Sequence, residues 1–334
     1  MPEYISSFIS GFEPFIAETL HALLPGVNDI RVSGGLVSYN YSGVYGNIHA
    51  AGIFNNTFIV LARFFDIGFS TMIQAIVKKT NVSYKRYIKP GCKFRVRFQQ
   101  NGRFVHVPES DLAISEGIVT YKTGLAVDRA RPDVEFWYII RADGSGIYAM
   151  LTVEYASMGR RLQPGELRPE LARLICLFSG MKKGDVVLDP FAGYGSIVEQ
   201  AAALNGNARV FACDIDQRMV EYTIRRSRHL GARADIQRAD ARSLGFICDG
   251  SIDHIITDPP WAEYDKAIGD VEALYRASFT ECARVLKSSG ALTLVTSKKA
   301  EAESAARATG FMLDKKLDIL VNGKKAGVYR FISS

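Results

Sequence analysis

The sequence predicts an α/β protein: a doubly wound parallel sheet in the C-terminal half, preceded by a ferredoxin-like unit and a second, basic α/β region. Three observations carry this expectation. From Val186 onward, short apolar runs alternate with amphipathic helical stretches, the pattern of a parallel sheet covered by helices on both faces. The first 65 residues read strand, helix, strand, strand, helix, strand, the order of a split βαβ unit. With 334 residues, 48% of them hydrophobic, the chain can fill more than one core. The expected boundaries are a ferredoxin-like domain over 1–65, a basic α/β domain over 66–155, a linker over 156–170 and the parallel-sheet domain over 171–334.

The elements follow in order. A strand over Tyr4–Ile9 leads into a helix over Phe12–Leu24, stopped by Pro25-Gly26. Asp29–Val32 and Leu36–Tyr41 form a hairpin around Gly34-Gly35, and a short helical stretch over 47–54 precedes a strand over Thr57–Phe64. Met72, Ile73 and Ile76 share one face of a helix over 68–79, which ends on Lys78-Lys79. In the strand over Cys92–Gln99, Lys93, Arg95 and Arg97 alternate with Phe94, Val96 and Phe98, placing the cations on one face. A helix over Glu109–Thr123 and paired strands over Glu135–Arg141 and Ile147–Val153 complete this half. Pro164-Gly165 and Pro169 punctuate the linker, with Pro169 placed to start the next helix.

In the C-terminal half, strands over Val186–Leu188, Arg209–Cys213, Asp235–Arg238, Ile252–Ile256 and Ala291–Thr296 are separated by helices through Leu204, over Gln217–His229, and over a stretch marked by Val271, Leu274, Tyr275, Phe279, Cys282 and Leu286. Lys315–Val321 and Gly327–Ile332 close the chain as a hairpin-like pair through Asn322-Gly323.

Composition and charge narrow the function. The longest apolar runs are strand-sized, and Met1-Pro2-Glu3 lacks the basic-then-apolar layout of a signal peptide. Five cysteines and five histidines are scattered with no Cys-x-x-Cys, which favours a reduced, cytoplasmic protein without a metal site. Net charge is +6, and residues 67–108 hold nine basic side chains and no acidic one. Lys78, Lys79, Lys85, Arg86, Lys89, Lys93, Arg95, Arg97 and Arg103 make up this run, which suits a polyanion better than a neutral metabolite.

The chemistry lies at the expected strand ends. Asp189-Pro190-Phe191-Ala192-Gly193-Tyr194-Gly195-Ser196 follows the first strand of the parallel sheet; it permits close backbone approach at a helix N-terminus. The third glycine of a dinucleotide fingerprint falls at Val198, which weakens a nicotinamide dehydrogenase reading. Asp214-Ile215 ends the second strand and Asp240-Ala241 the third, placed for ribose hydroxyls and a base amino group. After the fourth strand, Asp258-Pro259-Pro260-Trp261 sets a carboxylate, a rigid carbonyl and an aromatic ring at the sheet edge where open α/β sheets bind ligands.

Asp189-Pro-Phe-Ala-Gly-Tyr-Gly-Ser with Asp258-Pro-Pro-Trp resembles the paired signature of class I S-adenosylmethionine-dependent amino-methyltransferases, and the closing hairpin fits that fold's antiparallel end. Over nearly its full length the chain resembles the THUMP-domain tRNA guanine-N2 methyltransferases. The resemblance implies a Rossmann-like C-terminal sheet, a THUMP-like middle domain, S-adenosylmethionine as cofactor, and tRNA as partner of a monomer without metal or membrane. It places Asp189, Pro190, Phe191, Ala192, Gly193, Gly195, Asp214, Ile215, Asp240 and Ala241 around the cofactor. Asp258 and the Pro259 carbonyl would grip the N–H groups of an exocyclic amine, Pro260 would stiffen the turn, and Trp261 would stack on a flipped base. Two other readings stay open from sequence: N6-adenine methylation of RNA or DNA, and an RNA-binding protein with an inactive methyltransferase fold.

Overall fold

The computed structural model describes residues 1–334 apart from 79–86, 153–161, 207–208, 230–233, 262–269, 322 and 334. The chain forms two compact units, one of Met1–Phe8 with Ile16–Arg161, the other of Ile9–Phe15 with Leu162–Ser334.

The first unit contains β1 (Glu3–Ser7), β2 (Asn28–Ser33), β3 (Leu36–Asn40), α2 (Tyr45–Ala50) and β4 (Asn56–Phe64), with α1 (Glu13–Leu23) entering it from Ile16. β1 lies antiparallel between β3 and β4, giving the order β2-β3-β1-β4 of a split βαβ unit. There follow α3 (Phe69–Lys78), β5 (Lys93–Gln100), β6 (Arg103–Phe104), α4 (Glu109–Thr123), β7 (Ala126–Val127), β8 (Val134–Ile140) and β9 (Gly146–Thr152). β4 pairs antiparallel with β9, so the strands of 1–65 and 66–155 share one nine-stranded sheet, β2-β3-β1-β4-β9-β8-β5-β6 with β7 beside β5. The separate domain expected over 1–65 is therefore one flank of a larger unit. A sequence pattern locates a strand but not the neighbour that covers its outer edge. β8 and β9 lie inside this sheet and are buried on both faces, which explains their near-continuous apolar runs.

The second unit is a seven-stranded sheet, and its elements are α5 (Pro169–Phe178), β10 (Val187–Asp189), α6 (Ser196–Asn205), β11 (Val210–Asp214), α7 (Gln217–His229), β12 (Ala234–Arg238), β13 (Ile252–Thr257), α8 (Val271–Val285), β14 (Leu286–Thr296), α9 (Lys299–Ala308), β15 (Phe311–Val321) and β16 (Lys324–Ser333). Strand order is β12-β11-β10-β13-β14-β16-β15; the first five are parallel, and β16 runs antiparallel between β14 and β15. Chain order reverses at β10, which has β11 on one side and β13 on the other, and this opens a crevice at their carboxyl ends. Leu188, Ile255, Tyr275, Phe279, Leu292, Leu294 and Phe331 pack the core beneath that crevice.

α9 is absent from the sequence reading. Its buried face consists of Ala302, Ala305 and Ala306, residues too small to mark a periodic apolar stripe. The segment Ile9–Phe15 joins this second unit beside β15: Gly11 has φ +105°, a Cβ there would lie 2.1 Å from the Asp318 carbonyl oxygen, and the Leu320 amide donates to the Ser10 carbonyl across 3.4 Å.

Candidate active site

Four strand ends build the site. Asp189 closes β10 and is almost fully buried; its Oδ1 accepts from the Phe191 amide at 3.2 Å and from the Thr257 hydroxyl at 2.8 Å. Thr257 is the last residue of β13, so this bond ties the glycine loop's first residue to the strand that delivers Asp258. Burial pushes the Asp189 carboxyl up to about 7, its two hydrogen bonds oppose the shift, and the nearby Asp258 and Asp214 charges add to it.

The loop after β10 is shaped by close approach of α7. Gly193 and Gly195 have φ of +49° and +76°, and a Cβ on Gly195 would lie 2.8 Å from Thr223 Cγ2. Thr223 also donates its hydroxyl to the Gly193 carbonyl at 2.8 Å, and the Gly195 amide closes the turn on the Ala192 carbonyl at 2.7 Å. Pro190 and Ala192 lie against β11: the Ala192 amide donates to the Cys213 carbonyl at 2.9 Å, and Cys213 Sγ contacts the Pro190 carbonyl. Gly195 is the N-cap of α6 and supplies no side-chain cap to its first amides. Tyr194 stands edge-on to Tyr222 with ring centroids 5.1 Å apart, a packing role.

Arg226 of α7, nearly buried, fixes this loop from behind. Its Nη1 donates to Glu166 at 2.8 Å, to the Tyr194 carbonyl at 3.0 Å and to Ser196 Oγ at 3.3 Å, and Glu199 pairs with its other side. Sequence reading passed over both Arg226 and Glu166. They are far apart in the chain, and Glu166 falls within the expected linker.

Asp214 at the end of β11 accepts from the Gly193 amide through Oδ2 and from the Asp216 amide through Oδ1, both at 2.9 Å. Burial raises its carboxyl. Ile215 beside it keeps 59% of its surface exposed, an apolar platform at the crevice rim. Asp240 lies beyond β12 with Ala241 buried next to it; Arg242 grips its carboxylate, Nη2 at 2.6 Å and Nε at 3.0 Å, and this hydrogen-bonded guanidinium holds it below the usual carboxylate range.

Asp258 follows β13. Part of the residue reaches solvent, yet desolvation pushes its carboxyl up to about 7 against the Trp261 indole, whose N–H donates to Asp258 Oδ1 at 2.9 Å. The Pro260 carbonyl accepts from the Tyr275 hydroxyl at 3.0 Å. Among the described residues, no donor is directed at the Pro259 carbonyl. The strand ends thus assemble Asp189, Gly193, Gly195, Asp214, Ile215, Asp240 and Asp258-Pro-Pro-Trp along one sheet edge. The mutual repulsion of Asp189 with Asp258 and Asp214 favours a cation beside them.

The basic run in the first unit differs from its expected form. Lys79, Lys85 and Arg86 lie outside the described residues. Lys78, Lys89 and Arg103 are exposed. The β5 face is not free of acid, because β8 pairs with β5 in parallel register and sets Glu135 against Arg95. Arg95 donates to Glu135 through Nε at 2.7 Å, Arg97 reaches the same carboxylate at 3.5 Å and lies over the Phe104 ring, and Lys93 pairs with Asp128 at 3.3 Å. The acids arrive from a strand and a loop that lie outside residues 67–108.

Among the described residues, no group of three or more His, Cys, Asp or Glu could hold a metal ion, and no helix is long and apolar enough to cross a membrane.

A sheet with a β10 switch point, a glycine loop, aspartates at successive strand ends and an antiparallel last strand defines a class I methyltransferase fold. The chain belongs to the family described as UPF0020, RMKL-like, methyltransferase domain, whose model matches residues 158–325. A curated relative from Methanothermobacter thermautotrophicus, a tRNA (guanine(10)-N2)-dimethyltransferase, is 35% identical over 173 residues, which is 48% of this chain and 49% of that protein. The chain spans about half the length of the curated relatives it matches. Among solved structures, TrmN from Thermus thermophilus superposes with a TM-score of 0.80 at 22% identity, covering all of both chains. SMU.472, a putative methyltransferase complexed with SAH, superposes with a TM-score of 0.72 at 16% identity, covering 100% of this chain and 98% of that one.

Proposed function

We propose that this protein is an S-adenosylmethionine-dependent tRNA (guanine-N2-)-methyltransferase. The observation that carries the reading is the Asp258-Pro-Pro-Trp turn, tied through the Thr257–Asp189 bond to a glycine loop at the switch point of the sheet. The name of the 35% identical relative supports guanine N2 as the acceptor.

The residues present fit the cofactor. Gly193 leaves space for close backbone approach, the Asp214 carboxylate has acceptor capacity for ribose hydroxyls, Ile215 offers an apolar face and Asp240 an acceptor at the base edge. When bound, S-adenosylmethionine supplies an electrophilic methyl on a sulfonium, whose positive charge suits the Asp189 and Asp214 carboxylates.

The chain's own contribution is orientation. The lone pair of an exocyclic amine is delocalised into its ring, so the amine attacks poorly until it is pyramidalised. Asp258 Oδ and the Pro259 carbonyl are acceptors on a turn whose two φ angles are fixed by proline rings. Gripping both N–H groups there directs the lone pair outward, and the ionised Asp258 carboxylate can take up the released proton. Positioning of this kind supplies much of a methyl-transfer rate. Trp261, linked to Asp258, presents a ring for stacking a flipped base, a contact of about 1–3 kcal/mol.

The first unit is assigned the tRNA, as a THUMP-like module contacting phosphates through Lys78, Lys89, Lys93 and Arg103, together with Lys79, Lys85 and Arg86; Arg95 and Arg97 serve chiefly to hold the sheet. The protein acts as a cytoplasmic monomer. Incubation with methyl-labelled S-adenosylmethionine and bulk tRNA, followed by nucleoside analysis, tests this reading. Labelled N2-methylguanosine is expected; labelled N6-methyladenosine would replace the base assignment, and no labelled nucleoside would overturn the function.

A further inference from the structure

The motif's second proline is held by a directional chain of hydrogen bonds from α8 and β14. The Pro260 carbonyl can only accept, so the Tyr275 hydroxyl spends its single proton on it, at 3.0 Å. The contact of 2.8 Å between Tyr275 Oη and Thr296 Oγ1 must then be donated by Thr296. Thr296 Oγ1 accepts in turn from the Lys298 amide at 2.9 Å. The proton order is thereby fixed over its whole length: Lys298 N–H to Thr296, Thr296 O–H to Tyr275, Tyr275 O–H to Pro260. Tyr275 and Thr296 are both fully buried, so water offers no substitute for either partner. Burial and the Asp258 charge raise the Tyr275 hydroxyl, which keeps it a donor.

The carbonyl of Pro260 belongs to the peptide that leads into Trp261, and no described peptide is cis. Fixing the carbonyl therefore fixes the plane from which Trp261 departs. The Trp261 indole N–H bonds Asp258 at 2.9 Å, which carries that orientation back to the start of the motif. With both proline φ angles fixed by their rings, rotation about the ψ angles is the main freedom left in the turn, and the Tyr275 bond restrains it at Pro260.

We infer that Tyr275 and Thr296 form a positioning relay that sets the Trp261 ring and the Asp258 carboxylate for the incoming base, an inference that rests on the proposed methyl transfer for its kinetic consequence but not for its geometry. Two hydroxyls acting in series form one unit, so removing either should cost the same as removing both.

The test has two arms. In kinetics on tRNA, Tyr275→Phe and Thr296→Val should each lower kcat about 10–30-fold, the size of a lost positioning bond of roughly 1.4–2 kcal/mol. The double variant should be no worse than either single one. Thr296→Ser, which keeps the donor, should restore at least half of kcat, with the Kd for S-adenosylmethionine unchanged throughout. Additive losses, or wild-type kcat in Tyr275→Phe, would overturn the relay. The second arm needs no activity. The chain has 2 tryptophans, so a 5-fluorotryptophan-labelled protein gives two ¹⁹F signals, assigned by Trp261→Phe. Tyr275→Phe and Thr296→Val should shift or broaden the Trp261 signal and leave that of Trp137 in place. If the Trp261 signal is unmoved in both variants, the relay is refuted whatever the substrate proves to be. If it moves while wild-type protein methylates no tRNA, the relay stands and the proposed substrate falls.

Discussion

The Thr257 hydroxyl and the Asp189 carboxylate, 2.8 Å apart, join the two halves of the site across adjacent parallel strands. One hydrogen bond thus sets the spacing between the loop assigned to the cofactor and the turn assigned to the base. Asp189 is placed by Thr257 and by its own loop, and Thr257 needs no apolar partner at the end of a strand that is otherwise core.

Asp258→Ala removes one of the two proposed amine acceptors. A loss of about 10²–10³ in kcat is expected, by analogy with other preorganised polar contacts, while the Kd for S-adenosylmethionine stays within about twofold. Isothermal titration beside single-turnover methylation checks it; undiminished methylation by this variant would exclude Asp258 from catalysis.

The same carboxylate predicts a pH dependence. Asp258 must be ionised to accept an amine N–H, and burial places its carboxyl at about 7. kcat/KM should therefore rise with pH through about 7 and level off above it. The Trp261 indole bond stabilises the charged form, so Trp261→Phe should move the midpoint upward. A profile flat from pH 5.5 to 8.5 would contradict the assignment.

Asp189 makes the opposite kind of statement, about stability. Its folded value of about 7 lies above the unfolded value of about 4, so between those limits the folded state binds more protons than the unfolded. Stability conferred by the protonated form is complete below about pH 4 and is lost as pH rises through about 7. Asp189→Asn keeps an oxygen for Thr257 and Phe191 without the buried charge. It should raise the melting temperature of cofactor-free protein at pH 8 by roughly 2–4 °C for each kcal/mol relieved, and weaken S-adenosylmethionine binding. Calorimetry at pH 5 and pH 8 should show the larger gain at the higher pH.

Gly195→Ala meets two obstacles at once, a positive φ and the Thr223 side chain 2.8 Å from the new methyl. A cost of about 2 kcal/mol or more is expected, with cofactor affinity falling. Adding Thr223→Ser should recover only part of the loss, since it relieves the contact and not the backbone strain.

In the first unit, Arg95→Ala and Lys89→Ala should separate cleanly. Arg95 is the nearer of two guanidiniums on the buried Glu135, so its loss leaves that carboxylate with weaker pairing and should lower stability by on the order of 1–3 kcal/mol. Lys89→Ala should reduce the slope of log binding constant against log salt by about 0.7. Filter binding across a salt series distinguishes them.

The site was legible in the sequence wherever a role is carried by neighbours in the chain. Asp-Pro-Pro-Trp after an apolar run, and Asp-Pro-Phe-Ala-Gly-Tyr-Gly before a helix, announce strand ends because proline and glycine act locally. What escaped depends on partners supplied by distant segments. Tyr275 was legible as an apolar-face residue of its helix, but the acceptor for its hydroxyl belongs to a different loop. Glu135 and Arg95 meet only because β5 and β8 are adjacent. α9 was missed because alanines bury a face without marking one. β4 read correctly as a strand, while its pairing with β9 turned an expected boundary into a continuous sheet.

The placement of Ile9–Phe15 beside β15 has a consequence for the order in which the protein can be made. This stretch leaves the ribosome about 300 residues before Asp318 and Leu320, its neighbours in the finished fold. At translation rates of about 5–20 residues per second, it waits on the order of tens of seconds for its partner. The methyltransferase unit therefore closes around Ile9–Phe15 only after β15 has been made, hundreds of residues later in the chain.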